Sequence, residues 1–103
     1  MVAASPPSLD PRLLSLAIGE VVAFTALVDH GGFTAAARAL HLSQPGVSAR
    51  IRRLERALGV ALVDRSFRRL TLTAEGAAFL PEARRVLAGL RDGADRARRA
   101  RRC

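Results

Sequence analysis

Residues 33–59 read FTAAARALHLSQPGVSARIRRLERALG, and the pattern of this stretch decides the fold. Thr34 is placed to cap a helix that runs to Leu40, with Phe33, Ala36, Ala37 and Leu40 on its inner side. The run Ala35-Ala36-Ala37 combines high helix propensity with little bulk, so a neighbouring helix can approach closely. After the link His41-Leu42, Ser43 stands as a second N-cap. Gln44 and Pro45 then fall in a first turn, where a missing N–H is tolerated. Val47, Ile51, Leu54 and Leu58 follow at spacings of 4, 3 and 4, which makes one narrow apolar stripe, and Gly59 ends the helix. The opposite face carries Pro45, Ser48, Ala49, Arg52 and Arg56, with Arg53 beside it, and has no acid in its middle.

Working outward, Val21, Phe24, Leu27 and Val28 recur at helical spacing and predict a helix from about Leu16 to His30, stopped by Gly31-Gly32. On the other side lie two short β-prone runs, Val60-Ala61-Leu62-Val63 and Leu70-Thr71-Leu72. Between them, Asp64-Arg65-Ser66-Phe67-Arg68-Arg69 forms the basic tip of a hairpin. Phe67 has two readings there, packing within the hairpin or touching the sugars of a nucleic acid, of which packing is preferred. Thr73 caps a last long helix, with Glu75 favourably placed in its first turn. Along that helix Leu80, Ala83, Leu87, Leu90, Ala94 and Ala97 repeat at 3-4-3-4-3, the seam of a coiled coil. Pro81 inside it predicts a bend. Residues 1–15, rich in Pro, Ser and Ala, read as a flexible leader in which Asp10-Pro11 could open a helical turn. Residues 16–73 form the folded domain and 74–99 the long helix. Residues 100–103 form an Arg-rich tail, with Gly93 arguing for an interruption shortly before it.

The chain has 103 residues, which bounds it to one small domain, and its 50% hydrophobic and 25% charged residues are those of a globular protein. All 17 basic residues are arginine, for a net charge of +8. Residues 1–49 carry a net of −1, whereas residues 50–69 alone carry +5. The usual partner of such a field is phosphate. A single cysteine, Cys103, excludes an internal disulfide framework and makes the cytoplasm the natural compartment. No apolar run approaches the length needed to cross a bilayer, and the start lacks the pattern of a signal peptide. His30 and His41 are the only histidines, and no His, Cys or acidic pair has metal-ligand spacing. With no phosphate loop or nucleophile elbow either, the expectation is no metal, no cofactor and no enzyme, but a binding module.

Helix, helix-turn-helix, basic hairpin and long helix is a mainly α order. It predicts a winged helix-turn-helix, three helices plus a two-stranded β wing, followed by a linker and dimerisation helix. The second helix of such a motif, here 44–58, lies in the major groove of DNA, with its N-terminal residues at the base edges. Gln44 can pair bidentately with adenine, Ser48 can donate or accept, arginines can read guanine, and Pro45 can touch a thymine methyl. Thr34 and the amides beside it suit a phosphate. Arg65, Arg68 and Arg69 would lie near the neighbouring backbone or minor groove. A rival of another class is an adapter that binds protein and whose charge is incidental. A basic RNA-binding protein is a second, weakened by the lack of an aromatic stacking platform.

The residues Phe24, Gly32-Phe33-Thr34-Ala35-Ala36-Ala37, Leu40, Ser43-Gln44-Pro45, Ser48, Ile51, Leu54-Glu55, Leu58-Gly59, Asp64-Arg65, Leu72-Thr73 and Gly76 together resemble the DNA-binding domain of LysR-type transcriptional regulators, over about residues 16–92. The resemblance implies a homodimer joined through the linker helix by Leu80, Ala83, Leu87, Leu90 and Ala94. It also implies double-stranded DNA bearing an interrupted inverted repeat as partner, and DNA contacts from Ser43, Gln44, Pro45, Ser48, Arg52, Arg53, Arg65 and Arg68. Three departures stand out. Gly32 replaces the family's usual Ser. Ala49 stands where arginine is common, so the basic side chain moves to Arg50 at the flank of the groove face. Phe67 and Arg69 replace wing-tip glycines. With its end at Cys103, the chain is expected to lack the family's effector domain and to bind no small-molecule effector and no membrane.

Overall fold

The computed structural model describes residues 16–102, so the leader, Asp10-Pro11 and Cys103 lie outside the described residues. Four helices follow in order: α1 (Ile18–His30), α2 (Phe33–Leu40), α3 (Gln44–Leu58) and α4 (Ala74–Arg102). Helix α1 begins two residues later than the apolar periodicity suggests. Its first turn lacks a Ser, Thr, Asp or Asn cap, and the Glu20 carboxylate accepts from the Ala17 amide at 3.4 Å instead. Gly31 closes α1 in the left-handed conformation, φ 80°, with its N–H donating to the Leu27 carbonyl at 3.1 Å.

Thr34 is not the cap of α2. The helix starts two residues earlier than such a cap implies, at Phe33, with Gly32 in the cap position and no side chain capping it. The Thr34 hydroxyl is thereby left for another partner. His41 ends α2 at φ 56° and is exposed, as a turn residue should be. Ser43 does cap α3: its hydroxyl accepts from the Gly46 amide at 3.1 Å. The three helices enclose a core in which Phe24, Leu27, Val47, Ile51, Leu54 and Leu62 are fully buried. Ala36 and Ala37 are buried too, the close approach that the alanine run makes possible.

Between α3 and α4, residues 60–72 form the wing. The two expected strands pair there in a short antiparallel ladder centred on the bridge of Val63 with Leu72. Asp64 donates its amide to the Thr71 carbonyl at 2.8 Å, and Thr73 its own to Leu62 at 3.0 Å. The ladder stops for two reasons. The amides of Leu62 and Val63 are taken by the Glu55 carboxylate of α3, at 2.8 and 3.2 Å, so they bond to a helix rather than a strand. Beyond Asp64 the chain turns at once, because the Asp64 carboxylate accepts from the Ser66 amide at 2.9 Å and from its hydroxyl.

Thr73 caps α4, accepting from the Gly76 amide at 2.9 Å while its hydroxyl donates to the Ala61 carbonyl at 2.6 Å. Gly76 then passes so close to the wing that a β-carbon on it would lie 2.1 Å from the Leu62 carbonyl oxygen. Phe79 reaches Phe24, ring centroids 5.8 Å apart and tilted by 41°. Ala83 is fully buried, and Leu80 and Leu87 pack on the core beside it. Arg84 clasps Asp29 of α1 with two hydrogen bonds, at 2.8 and 3.3 Å. Leu87 is the last residue of the helix that packs on the core, and the helix continues through Gly93 to Arg102. The expected end at 99 and the separate tail are corrected in that respect, since Ala and Arg both favour helix strongly enough to carry it on. Among the described residues no helix is long and apolar enough to cross a membrane.

Candidate nucleic-acid interface

Three elements converge on one face: the first turns of α2 and α3, and the wing. Because Ser43 caps α3 and Pro45 sits in its first turn, Gln44 and Pro45 are held exposed at the very start of the helix. One turn on, Ser48 follows half-buried, with Ala49 exposed next to it. Phe33, Gln44, Pro45, Ser48 and Arg65 line a shallow recess of about 340 Å³. The wing arginine and the helix residues expected to read bases therefore share one surface. Thr34 belongs to it as well, since the Gln44 side-chain amide donates to the Thr34 hydroxyl at 2.6 Å. That bond fixes which way the Gln44 amide faces and ties the two helices of the motif together at the surface.

The arginines sort into distinct environments. Arg52 and Arg56 are exposed on α3. Arg53 turns back toward α1, where its Nε lies 3.3 Å from a carboxylate oxygen of the buried Glu20. Arg50 is half-buried against α1, with its guanidinium so close over Gly19 that a β-carbon there would stand 2.6 Å from Nη1. The displaced arginine is thus spent on packing against the body. Arg65 is braced by Glu55 at 3.1 Å, the same carboxylate that holds the wing amides. A second, larger recess of about 820 Å³ lies between the wing and the α1–α2 turn, with Arg68 and Arg69 on one wall and Gly32, Thr34 and Ala35 on the other. Ser66 holds the Asp64 carboxyl below its ordinary pKa, through its hydroxyl first and its amide second. Phe67 is 61% exposed, which overturns the expectation that it packs within the wing: the Asp64–Ser66 turn carries it outward.

The seam expected for dimerisation is divided. Ala83 is covered by its own chain, and Leu80 and Leu87 are largely engaged with the core, while Leu90 is 55% exposed. Val86, outside the heptad, is 51% exposed. Among the described residues, no group of three or more His, Cys, Asp or Glu side chains could hold a metal ion. Glu20 and Glu55 shape this face; Glu55 belongs to the Leu54-Glu55 motif, whereas Glu20 lies outside the sequence motifs. Glu55 is an acid inside a basic block, and that isolation is the signal that could have marked it; Glu20 carries no such signal, its nearest arginines in sequence being Arg12 and Arg38.

Three packed helices with a wing leaning on the second helix of a helix-turn-helix define the winged helix-turn-helix class. A family model described as bacterial regulatory helix-turn-helix protein, lysR family, matches residues 18–77, and the chain belongs to that family. It is 51% identical over 77 residues to the HTH-type transcriptional regulator TfdS of Cupriavidus pinatubonensis, an alignment covering 75% of this chain and 26% of that protein. It is 46% identical over 83 residues to the regulator PtxR of Pseudomonas aeruginosa, covering 81% and 26%. The chain thus spans about a quarter of the length of these relatives. Among solved structures, a complex of the CbnR DNA-binding domain with DNA superposes with a TM-score of 0.76 at 42% identity, covering 82% of this chain and 97% of that one. The BenM DNA-binding domain bound to catB site 1 DNA gives 0.78 at 31%, covering 82% and 94%.

Proposed function

We propose that the chain binds double-stranded DNA sequence-specifically and acts as the DNA-binding part of a LysR-type transcriptional regulator, with α3 in the major groove. The observation that carries this is the shared recess in which Gln44, Pro45 and Ser48 meet the wing residue Arg65. There an amide, a hydroxyl and an apolar ring at one helix start lie beside a cation of the wing, the chemistry that reads base edges. Arg52, Arg56, Arg68 and Arg69 surround it and fit phosphates, fixing register rather than sequence. Arg53 and Arg50 act mainly through α1. The DNA complexes among the structural neighbours support the same reading.

We further propose a homodimer on an interrupted inverted repeat, joined through the free half of α4. The face that suits a partner is Val86, Leu90, Ala94 and Ala97, at spacings of 4, 4 and 3, rather than the full heptad through Ala83. The cytoplasm is the compartment where such a regulator meets its promoters.

The test is a titration of a duplex-DNA pool against an equal pool of structured RNA, by fluorescence anisotropy at several salt concentrations, followed by selection of the best duplexes. Tight, steeply salt-dependent duplex binding that enriches an inverted repeat is expected. The double variant Gln44→Ala, Ser48→Ala should then show weaker enrichment at specific base pairs, by about 1–3 kcal/mol for each bidentate pairing it removes. No duplex binding at low salt would sink the proposal and favour the protein-binding adapter.

A further inference from the structure

Resting on the DNA-binding reading above, we propose that Phe67 is a specificity residue. It contacts the minor groove beside the major-groove site, its ring against the deoxyribose walls, and gives the protein a preference for a narrow, A·T-rich groove there.

The chain has four phenylalanines, and three of them are absorbed by the fold: Phe24 is fully buried, and Phe33 and Phe79 pack against the core. Phe67 alone stands 61% exposed, at the point of the wing. An exposed ring there does nothing for stability. Its neighbours Arg65, Arg68 and Arg69 are all exposed, and the nearest acid, Asp64, has its carboxylate turned into the Ser66 hydrogen bonds. An apolar wedge set among cations is the combination that enters a minor groove. The cations follow its negative potential, strongest where the groove is narrow, while the wedge covers sugar carbons or parts a base step. Phe67 also lines the 820 Å³ recess whose far wall is the first turn of α2, so a sugar–phosphate strand lying in that recess would pass directly beneath the ring.

The experiment uses duplexes selected by the unaltered protein, with flanking G·C pairs replaced by inosine·C. Inosine removes the amine from the minor-groove floor and leaves the major-groove edge unchanged. The unaltered protein should bind the inosine duplexes more tightly. Phe67→Ala should lose about tenfold in affinity, the effect of uncovering roughly 60 Å² of apolar ring. It should also lose most of the inosine response, while discrimination at the α3-contacted base pairs stays intact. Phe67→Leu, which keeps an apolar wedge, should fall between the two. Melting temperatures verify that the variants fold. If Phe67→Ala binds within twofold of the unaltered protein and keeps the inosine response, the wing proposal fails alone. If the unaltered protein binds no duplex, the DNA-binding reading fails with it. Phe67-dependent retention on anionic phosphatidylglycerol vesicles without any inosine effect would make the tip a membrane contact and overturn the proposal.

Discussion

Glu55 is the joint between α3 and the wing, and replacing it with alanine is the sharpest test of how the surface proposed to face DNA is assembled. One carboxylate serves three donors: the Leu62 amide at 2.8 Å, the Val63 amide at 3.2 Å and the Arg65 guanidinium at 3.1 Å. Leu62 and Val63 are buried, so in Glu55→Ala neither amide can easily turn to water. An orphaned amide costs about 1–3 kcal/mol, and because both bonds are only part-buried each counts for about 1.5 kcal/mol. The Arg65 bond is exposed and adds little. The sum is about 3 kcal/mol, a large part of the stability of so small a domain. It corresponds to roughly 12–24 °C in melting temperature. Urea denaturation followed by circular dichroism measures it, and Glu55→Gln supplies the second arm. The amide oxygen of glutamine can still accept from the wing, so this variant should lose only about 1 kcal/mol. DNA affinity should fall in both variants, because Arg65 loses its brace. A Glu55→Ala stability within about 0.5 kcal/mol of the unaltered protein, the range of ordinary surface changes, would refute the reasoning.

Other substitutions probe separate links. Gly76→Ala places a β-carbon 2.1 Å from the Leu62 carbonyl oxygen, which is backbone and cannot swing away, so a loss near the top of the usual range of about 1–3 kcal/mol for overpacking is expected in the same denaturation assay. Asp29 is held below its ordinary pKa, first by its hydrogen bond to Arg84 and then by the charge of that guanidinium, against a desolvation that pushes the other way. A folded pKa below the unfolded one means the pair's contribution is complete above the ordinary carboxyl range and is lost as pH falls through the folded value. Asp29→Asn should therefore flatten the acid side of the stability–pH curve, and an unchanged slope would contradict the clasp. Leu90→Glu should weaken self-association at least tenfold in analytical ultracentrifugation while leaving monomer stability intact, because Leu90 is 55% exposed. Unaltered protein that is wholly monomeric at micromolar concentration would remove the dimer proposal itself.

Most of the fold could be read from local rules. The stripe Val47–Ile51–Leu54–Leu58, the Ser43 and Thr73 caps and the terminating Gly31 and Gly59 each depend on residues within a turn or two of one another. Such periodicity and capping therefore carry the helices without reference to the rest of the chain. The positions of Gln44, Pro45 and Ser48 at the start of α3 follow from the same rules. What depended on distant contacts was decided only by the tertiary structure. Arg50 and Arg53 share a helix with Gln44, Pro45 and Ser48, yet each is drawn to α1, one over Gly19 and one to Glu20. The ladder of the wing is short because a carboxylate seven residues upstream takes the Leu62 amide. The seam of α4 is cut in two past Leu87, because a heptad records which side chains are apolar and says nothing of whether the same chain or another one covers them. Charge and apolarity are properties of residues, whereas the partner that satisfies them is a property of the packed chain.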